Sequence, residues 1–244
     1  MARVEGAEDG RRGITALEAS LIALGAFFLC AWAVGSMGGR HSVVAWAAGT
    51  HLPPLVMLAG AVLIAARHRP ILPPAWQGYS TPVFCAAAFM IGLAGGLGTP
   101  PTRAEALAPV LQPRVALMWA FLWVGVVAPI IEELFFRGIL QVALRRHMPA
   151  IAAVGLSTLA FVLAHIGIGH FGLFLALGAF FGMMAALSGS VLPAIAAHIA
   201  WNVGTLWVGA NPALMEAETD LLPILATPVF IAACALRWKE KKQK

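Results

Sequence analysis

Residues 115–138 read VALMWAFLWVGVVAPIIEELFFRG, an apolar run that ends at two adjacent carboxylates, Glu132 and Glu133, followed by Arg137. Crossing the hydrocarbon of a bilayer takes roughly 20 apolar residues in a helix. A charged side chain at mid-membrane costs about 2.5–3.5 kcal/mol on insertion scales, so buried charges there mark functional sites by default. This stretch therefore predicts a transmembrane helix that carries a functional site.

The rest of the chain is similarly apolar. Of its 244 residues, 60% are hydrophobic and only 11% are charged, whereas a soluble domain carries about 25% charged residues. The apolar runs are continuous, which favours helices over the alternating pattern of transmembrane strands. We therefore predict an all-α integral membrane protein with about eight transmembrane helices in a single bundle around an intramembrane active-site cavity. The expected spans are Ala16–Ser36, Val43–Ala66, Pro82–Leu97, Val115–Ile131, Ala150–Ile166, Phe171–Leu187, Val191–Gly209 and Leu222–Leu236.

The domain organisation follows from these runs. We expect a disordered cytoplasmic N-terminus at residues 1–13, a transmembrane domain at 14–237 with its motif core at 115–202, and a basic cytoplasmic tail at 238–244. The chain after Leu236 is expected to be disordered, because terminal polar segments usually are. No cleavable signal is expected, since Met1–Gly13 is charged and the first apolar run is full length.

The distribution of basic residues predicts the orientation. With eight spans both termini lie on one side, and cytoplasmic loops carry an excess of Lys and Arg. Both termini are therefore expected in the cytoplasm, with the protein in the cell membrane. The net charge of +5 then reflects topology and attraction to anionic lipid, and no nucleic-acid partner is expected. The basic residues on the cytoplasmic side are Arg3, Arg11, Arg12, Arg67, Arg69, Arg145, Arg146, Arg237, Lys239, Lys241, Lys242 and Lys244.

Helical spacing sorts the polar residues of the spans. Glu133 and Arg137 are four residues apart and share a face, so they can form an ion pair. Glu132 is rotated about 100° from Glu133. The same four-residue spacing joins two further pairs, Phe161 with His165 and His198 with Asn202.

These residues suit hydrolysis of a peptide bond by an activated water. Glu132 is the expected general base, and His165 would share the water. His198 and Asn202 would donate hydrogen bonds to the oxyanion, while Glu133 with Arg137 would hold the fourth helix and its carboxylate in place. Taken alone, Glu133 with Arg137 could be a structural pair, and His165 or Asn202 an interhelical hydrogen-bonding residue. Convergence of all of them from three helices favours a site.

Three motifs, Glu-Glu-x-x-x-Arg at 132–137, Phe-x-x-x-His at 161–165 and His-x-x-x-Asn at 198–202, follow in this order on separate helices. The chain from Val115 to Asn202 thereby resembles the CAAX-processing and bacteriocin-processing intramembrane peptidases, the Abi or CPBP family. The resemblance implies an eight-helix fold and the activity of a glutamate-dependent endopeptidase. The family includes the type II prenyl-protein proteases. The resemblance also implies a membrane-associated peptide or protein substrate, such as a prenylated CAAX tail or a leader peptide.

The family is also labelled metalloprotease, so metal dependence is a separate question. Glu132, His165 and His198 would make a His₂Glu set like a catalytic zinc site. The chain contains no H-E-x-x-H sequence, and the glutamate–histidine mechanism needs no metal. We expect no required cofactor, with zinc on these three residues as the alternative.

Two other functions remain open. Glu132 and the histidines could form the proton relay of a proton-coupled transporter, although the chain shows no paired repeats of the transporter kind. The protein could also be a catalytically idle scaffold or bacteriocin-immunity protein. Besides lipid, no other partner is predicted, and the oligomeric state is not determined. Gly178 and Gly182 form a G-x-x-x-G that predicts close helix packing.

Overall fold

The computed structural model describes residues 15–36, 43–68, 78–98, 114–165, 170–211 and 221–243. Within these ranges the chain forms eight helices and no strand. The expectations for residues 1–13 fall outside the described residues. The helices are α1 Ala16–Ser36, α2 Val43–Arg67, α3 Ser80–Leu97, α4 at residues 114–144, α5 Ala150–Ala164, α6 Phe171–Ser188, α7 Leu192–Ala210 and α8 Leu221–Lys242.

The predicted all-helical membrane fold is confirmed. Four of the described helices are long and apolar enough to cross a bilayer, and two shorter apolar helices, within α2 and α5, accompany them. Two predicted ends were wrong. The fourth span was predicted to end at Ile131, but the helix continues to Leu144, and Glu133 beyond that predicted end is buried with Arg137 and His198 as partners. The chain after Leu236 is helical to Lys242 rather than disordered.

The fourth helix is not a regular α-helix throughout. It widens into π-helix at Trp123–Val127 and again at Leu134–Leu140. The first widening precedes Pro129, which has no N–H and whose ring excludes the carbonyl four residues before it. The N–H of Ala128 accordingly bonds to the carbonyl of Trp123, a step of five residues. The short α-helical segment Ala128–Glu133, which carries both carboxylates, therefore lies between two π segments.

Helix α7 lies at the centre of the site region and packs closely against α3. Glycines make the approach possible. A Cβ on Gly92 would overlap the carbonyl oxygen of Ala197, and one on Gly96 would overlap that of Trp201. On α7, a Cβ on Gly204 would come within 3.0 Å of the Gly96 backbone. This glycine contact between α3 and α7 fixes the helix that carries His198 and Asn202.

The other helices surround this pair. α8 packs on α3, α1 pairs with α2, and α5 pairs with α6, while α4 contacts α2, α5 and α7. Between α4, α5 and α6 lies an aromatic core whose members are at most 1% exposed: Phe135, Phe136, Phe161 and Phe181.

Candidate functional site

The adjacent carboxylates of α4 lie in different surroundings. The side chain of Glu133 is fully buried, whereas that of Glu132 keeps 15% of its exposure. The rotation of one residue along the helix thus turns Glu133 into the protein interior and Glu132 toward an accessible space. Of the two carboxylates, only that of Glu132 has accessible surface.

Glu133 joins α4 to α7. Its Oε1 accepts a hydrogen bond from Arg137 Nη1 at 2.9 Å and a second from His198 Nδ1 at 2.8 Å. The predicted pairing of Glu133 with Arg137 is present, and the bond to His198 was not predicted. A carboxylate accepts, so the hydrogen of the imidazole lies on Nδ1. Glu133 therefore fixes the tautomer and the orientation of His198.

Arg137 is held by α6 as well as by Glu133. Its Nη2 donates to the carbonyl of Gly178 at 2.9 Å, and its guanidinium carbon lies 4.6 Å from the centre of the Phe161 ring. One turn further along α4, Gln141 Nε2 donates to the carbonyl of Gly182 at 3.1 Å. The G-x-x-x-G of α6 thus serves contacts within this chain, because glycines leave both carbonyls accessible to α4.

Sequence reasoning missed Gln141. The signal was present, since Glu133, Arg137 and Gln141 recur every four residues on one face of α4. The receiving carbonyls, at Gly178 and Gly182, have the same spacing. Two matched four-residue repeats on facing helices would have predicted this ladder.

His165 ends α5 and has a defined orientation. Its Nδ1 lies 2.8 Å from the carbonyl oxygen of Phe161, and since a carbonyl only accepts, Nδ1 carries the hydrogen. The ring stacks on Phe174 at 4.7 Å and lies 4.4 Å from the Phe161 ring. Phe161, placed by its spacing one turn below His165, thus contacts the imidazole through both its backbone and its ring.

Glu132 faces both imidazoles. Its Oε2 lies 3.6 Å from Nε2 of His165 and 4.0 Å from Nε2 of His198. This oxygen is inaccessible and has no hydrogen-bond partner among the described residues. Since hydrogen bonds of this kind span about 2.7–3.2 Å, the three atoms are not bonded directly. They are spaced so that one small polar group could contact Glu132 and an imidazole together.

Asn202 lies on the same helix as His198 but makes a different contact. Its Nδ2 donates at 2.8 Å to the carbonyl oxygen of Val124, in the first π segment of α4. In an α-helix that carbonyl would accept from Ala128, whose N–H instead bonds to Trp123. The next donor along the π-helix would be Pro129, which has none. Asn202 therefore satisfies a carbonyl that Pro129 leaves without a donor.

The spacing of Glu132, His165 and His198 can be compared with that of a zinc site. Nitrogen and oxygen ligands lie about 2.0–2.2 Å from zinc, so neighbouring ligand atoms of a tetrahedral site are about 3.4 Å apart. Glu132 Oε2 lies 3.6 Å from His165 Nε2, close to that spacing, and 4.0 Å from His198 Nε2, which is longer. Among the described residues no three His, Cys, Asp or Glu side chains form a metal-ligand group.

The turn before α7 is buried, and its polar groups are hydrogen-bonded within the turn and to the end of α6. Ser188 and Ser190 are fully buried, and Ser188 Oγ accepts from the N–H of Ser190 and donates to the carbonyl of Met184. Gly189 takes the left-handed conformation, with φ of 71°. Local hydrogen bonds thus satisfy the turn that leads into His198, as a connection inside a membrane protein requires.

A second aromatic cluster, also missed from the sequence, joins α2 to α4. Trp119 Nε1 donates to His51 Nε2 at 2.8 Å, and the His51 ring stacks on Trp123 at 4.5 Å. Trp123 begins the first π segment. The four-residue spacing of the two tryptophans was the available signal, but nothing local pointed to His51 on another helix.

Comparison with known proteins agrees with the motifs. The model of the family described as type II CAAX prenyl endopeptidase Rce1-like matches residues 114–204, a little over a third of the chain, which contains every residue of the site. Neither the search of curated proteins nor that of solved structures gave a match. The apolar helices and the match to a membrane-protease family together indicate a multi-pass membrane protein. The resemblance predicted from the three motifs is thereby confirmed over residues 114–204, which match the family described as type II CAAX prenyl endopeptidase Rce1-like.

Proposed function

We propose that the protein is an intramembrane endopeptidase that cleaves a membrane-associated peptide with a water activated by Glu132 and His165. The observation that carries the proposal is the position of Glu132. Its carboxylate is partly exposed and faces the Nε2 atoms of His165 and His198, at 3.6 and 4.0 Å. The family match at residues 114–204 supports the same class of reaction.

Glu132 is the general base of this mechanism. A water between Glu132 and His165 donates one hydrogen to the carboxylate and one to the imidazole Nε2, whose Nδ1 hydrogen is engaged by Phe161. As the water oxygen bonds to the substrate carbonyl carbon, its proton passes to Glu132. When the carbon–nitrogen bond breaks, Glu132 returns that proton to the amine nitrogen.

His198 and Asn202 are the proposed oxyanion donors. The Nδ1–H of His198 donates a hydrogen bond to Glu133. The ring can therefore donate a second hydrogen bond, from Nε2, only when both of its nitrogens are protonated. Asn202 commits one amide hydrogen to Val124 and has a second to offer. Glu133 and Arg137 act as positioning residues, since both are buried away from any substrate.

The test is cleavage by reconstituted protein. Candidate prenylated CAAX and leader-type peptides are offered in liposomes to the wild type and to Glu132→Gln. We expect Glu132→Gln to lower kcat by at least 100-fold, since a general base contributes about 10²–10⁴-fold. Glu18→Gln is the matched control, because among the described residues Glu18 pairs with Thr15 at the start of α1 and Gln preserves such a cap.

Two outcomes would contradict the proposal. Cleavage that survives Glu132→Gln would remove Glu132 from the mechanism. Absence of cleavage by every variant, together with Glu132-dependent proton flux into liposomes, would favour the transporter.

Metal dependence is tested on the same preparation. We expect cleavage to persist after treatment with EDTA and 1,10-phenanthroline, because the proposed steps need only Glu132, the histidines and water. Elemental analysis of the purified protein should find zinc well below one ion per chain. Stoichiometric zinc whose removal reversibly abolishes cleavage would overturn the metal-free mechanism.

A further inference from the structure

A trough runs along the outer surface between α1 and α2, away from the candidate site. It encloses about 390 Å³. Its floor is formed by small residues where the helices touch: a Cβ on Gly60 would come within 2.6 Å of the Ala23 Cβ. Its walls include Ile22 and Leu63, which are 60% and 69% exposed. The trough is therefore apolar along its length and open to the surroundings of the bundle.

One end of the trough is polar and basic. There the last residue of α2, Arg67, is exposed and is followed by the half-buried His68, and both line the trough. The Nε2 atom of His68 is inaccessible and has no hydrogen-bond partner among the described residues. The lining contains no acidic side chain. This end thus offers the exposed guanidinium of Arg67, with the ring of His68 beside it, to a negatively charged group.

The length of the trough fits one leaflet of a bilayer. From Val56 to His68, α2 rises about 18 Å at 1.5 Å per residue, slightly more than half of the roughly 30 Å hydrocarbon core. An extended acyl chain of a phospholipid with its phosphate at Arg67 would cover this distance. Basic pockets between transmembrane helices at the cytoplasmic surface are known to bind anionic headgroups.

From this complementarity we infer that the trough between α1 and α2 is a binding site for an anionic phospholipid. One acyl chain lies against the alanines and Gly60, and the phosphate contacts Arg67 and His68. The inference goes beyond the proposed peptidase function and does not depend on it, because the trough shares no residue with the site around Glu132.

The experiment measures lipid retention by native mass spectrometry of the detergent-solubilised protein. The probes are phosphatidylglycerol and phosphatidylcholine with identical acyl chains. We expect the wild type to retain phosphatidylglycerol at least several-fold better. Arg67→Gln should remove most of that preference, and Ala59→Leu, which places a larger side chain in the trough, should lower retention several-fold.

Each variant has a matched control. Lys241→Gln removes a basic residue near the end of α8, and Ala66→Leu enlarges an exposed residue of α2 outside the trough lining. Neither should change retention. Ala26→Leu, on the facing wall, replaces Ala59→Leu if that variant does not fold, as judged by thermal unfolding.

Three results would overturn the inference. Equal retention of the two lipids would exclude headgroup selection. Equal losses in Arg67→Gln and Lys241→Gln would mean that surface charge in general attracts the lipid. Full displacement of phosphatidylglycerol by millimolar inorganic phosphate would indicate an anion site without a lipid-chain site.

Discussion

At Glu132 and Glu133, two residues of the same type and adjacent in sequence have different environments. Glu133 is fully buried and accepts bonds from Arg137 and His198, whereas Glu132 is partly exposed and faces two Nε2 atoms. Helical rotation alone separated the two side chains. Which of them faces the interior depended on the positions of α6 and α7.

The hydrogen bond from Asn202 to the carbonyl of Val124 should contribute to the stability of the protein. An unsatisfied buried carbonyl costs about 1–3 kcal/mol, although interhelical hydrogen bonds in membranes average about 0.6 kcal/mol. We expect Asn202→Ala to lower the free energy of unfolding by about 1 kcal/mol. Pro129→Ala supplies a new N–H beside the Val124 carbonyl, so the cost of Asn202→Ala should shrink in that background.

The measurement is a double-mutant cycle on thermal or denaturant unfolding in detergent, which isolates the coupling between the two positions. Equal costs of Asn202→Ala with and without Pro129 would show that Asn202 does not serve that carbonyl. Since Asn202 is also a proposed oxyanion donor, kcat in the Pro129→Ala background separates the two roles. Activity lost there without a loss of stability would be catalytic.

At the scale of elements, glycines decide which helices can meet. The glycines of α3 allow the backbone of α7 to come into direct contact with the backbone of α3. The glycines of α6 leave their carbonyl oxygens accessible to Arg137 and Gln141 on α4. The small residues of α3 carry no chemistry and matched no motif. They nevertheless hold the helix on which two predicted site residues lie.

We expect Gly92→Ala to destabilise the protein and to lower activity. The added Cβ would overlap the Ala197 carbonyl, and because that atom belongs to the backbone, α3 and α7 must separate. Overpacking of this kind costs about 1–3 kcal/mol. Thermal unfolding and cleavage are both measured.

Gly25→Ala on α1 is the matched control, because its Cβ would meet nothing within 4 Å. Alanine is a better helix former than glycine by about 1 kcal/mol, so this variant should be as stable as the wild type or more so. If Gly92→Ala behaved like Gly25→Ala, the close contact of α3 with α7 would be wrong.

Across the whole molecule, the last helix, α8, packs against α3 and bonds to its first residue. Glu240 accepts hydrogen bonds from the backbone N–H of Ser80 at 2.9 Å and from its hydroxyl at 2.6 Å. The two residues are 160 positions apart. The side chain of Arg237 lies 3.5 Å from the same carboxylate. Glu240 thus caps a helix that begins far away in sequence, which explains why α8 continues through Glu240 to Lys242.

This cap predicts a pH dependence. Burial acts to raise the pKa of Glu240, but the hydrogen bonds from Ser80 and the charge of Arg237 outweigh it, so the pKa lies below its ordinary value. A lowered pKa in the folded state stabilises the protein above the unfolded-state pKa of about 4.3. That contribution is lost as the pH falls through the lowered pKa.

The measurement is thermal unfolding of the wild type and Glu240→Gln from pH 7 to pH 3. We expect the wild type to be more stable at pH 7 and the difference to vanish as the pH falls below about 4. A difference that stayed constant over this range would exclude the Glu240 carboxylate as its source.

Much of the fold was predictable because it is encoded locally. The predicted first span, Ala16–Ser36, coincides with α1, and the predicted Val191–Gly209 differs from α7 by one residue at each end. Hydropathy and helical periodicity depend on neighbours in the chain, so a single sequence suffices for them. The same reasoning ended the fourth span too early, since the two carboxylates interrupt the apolar pattern that identifies a span.

The sequence by itself determined the helical membrane class, the three motifs and the family that residues 114–204 resemble. Only the tertiary structure decided that Glu133 orients His198, that Asn202 satisfies the carbonyl freed by Pro129, and that Glu240 caps α3. Each of these is a contact between helices distant in sequence. Such contacts depend on how closely two backbones approach, which is set by packing around small residues such as Gly92 and Gly178 and leaves no periodic signal in the chain.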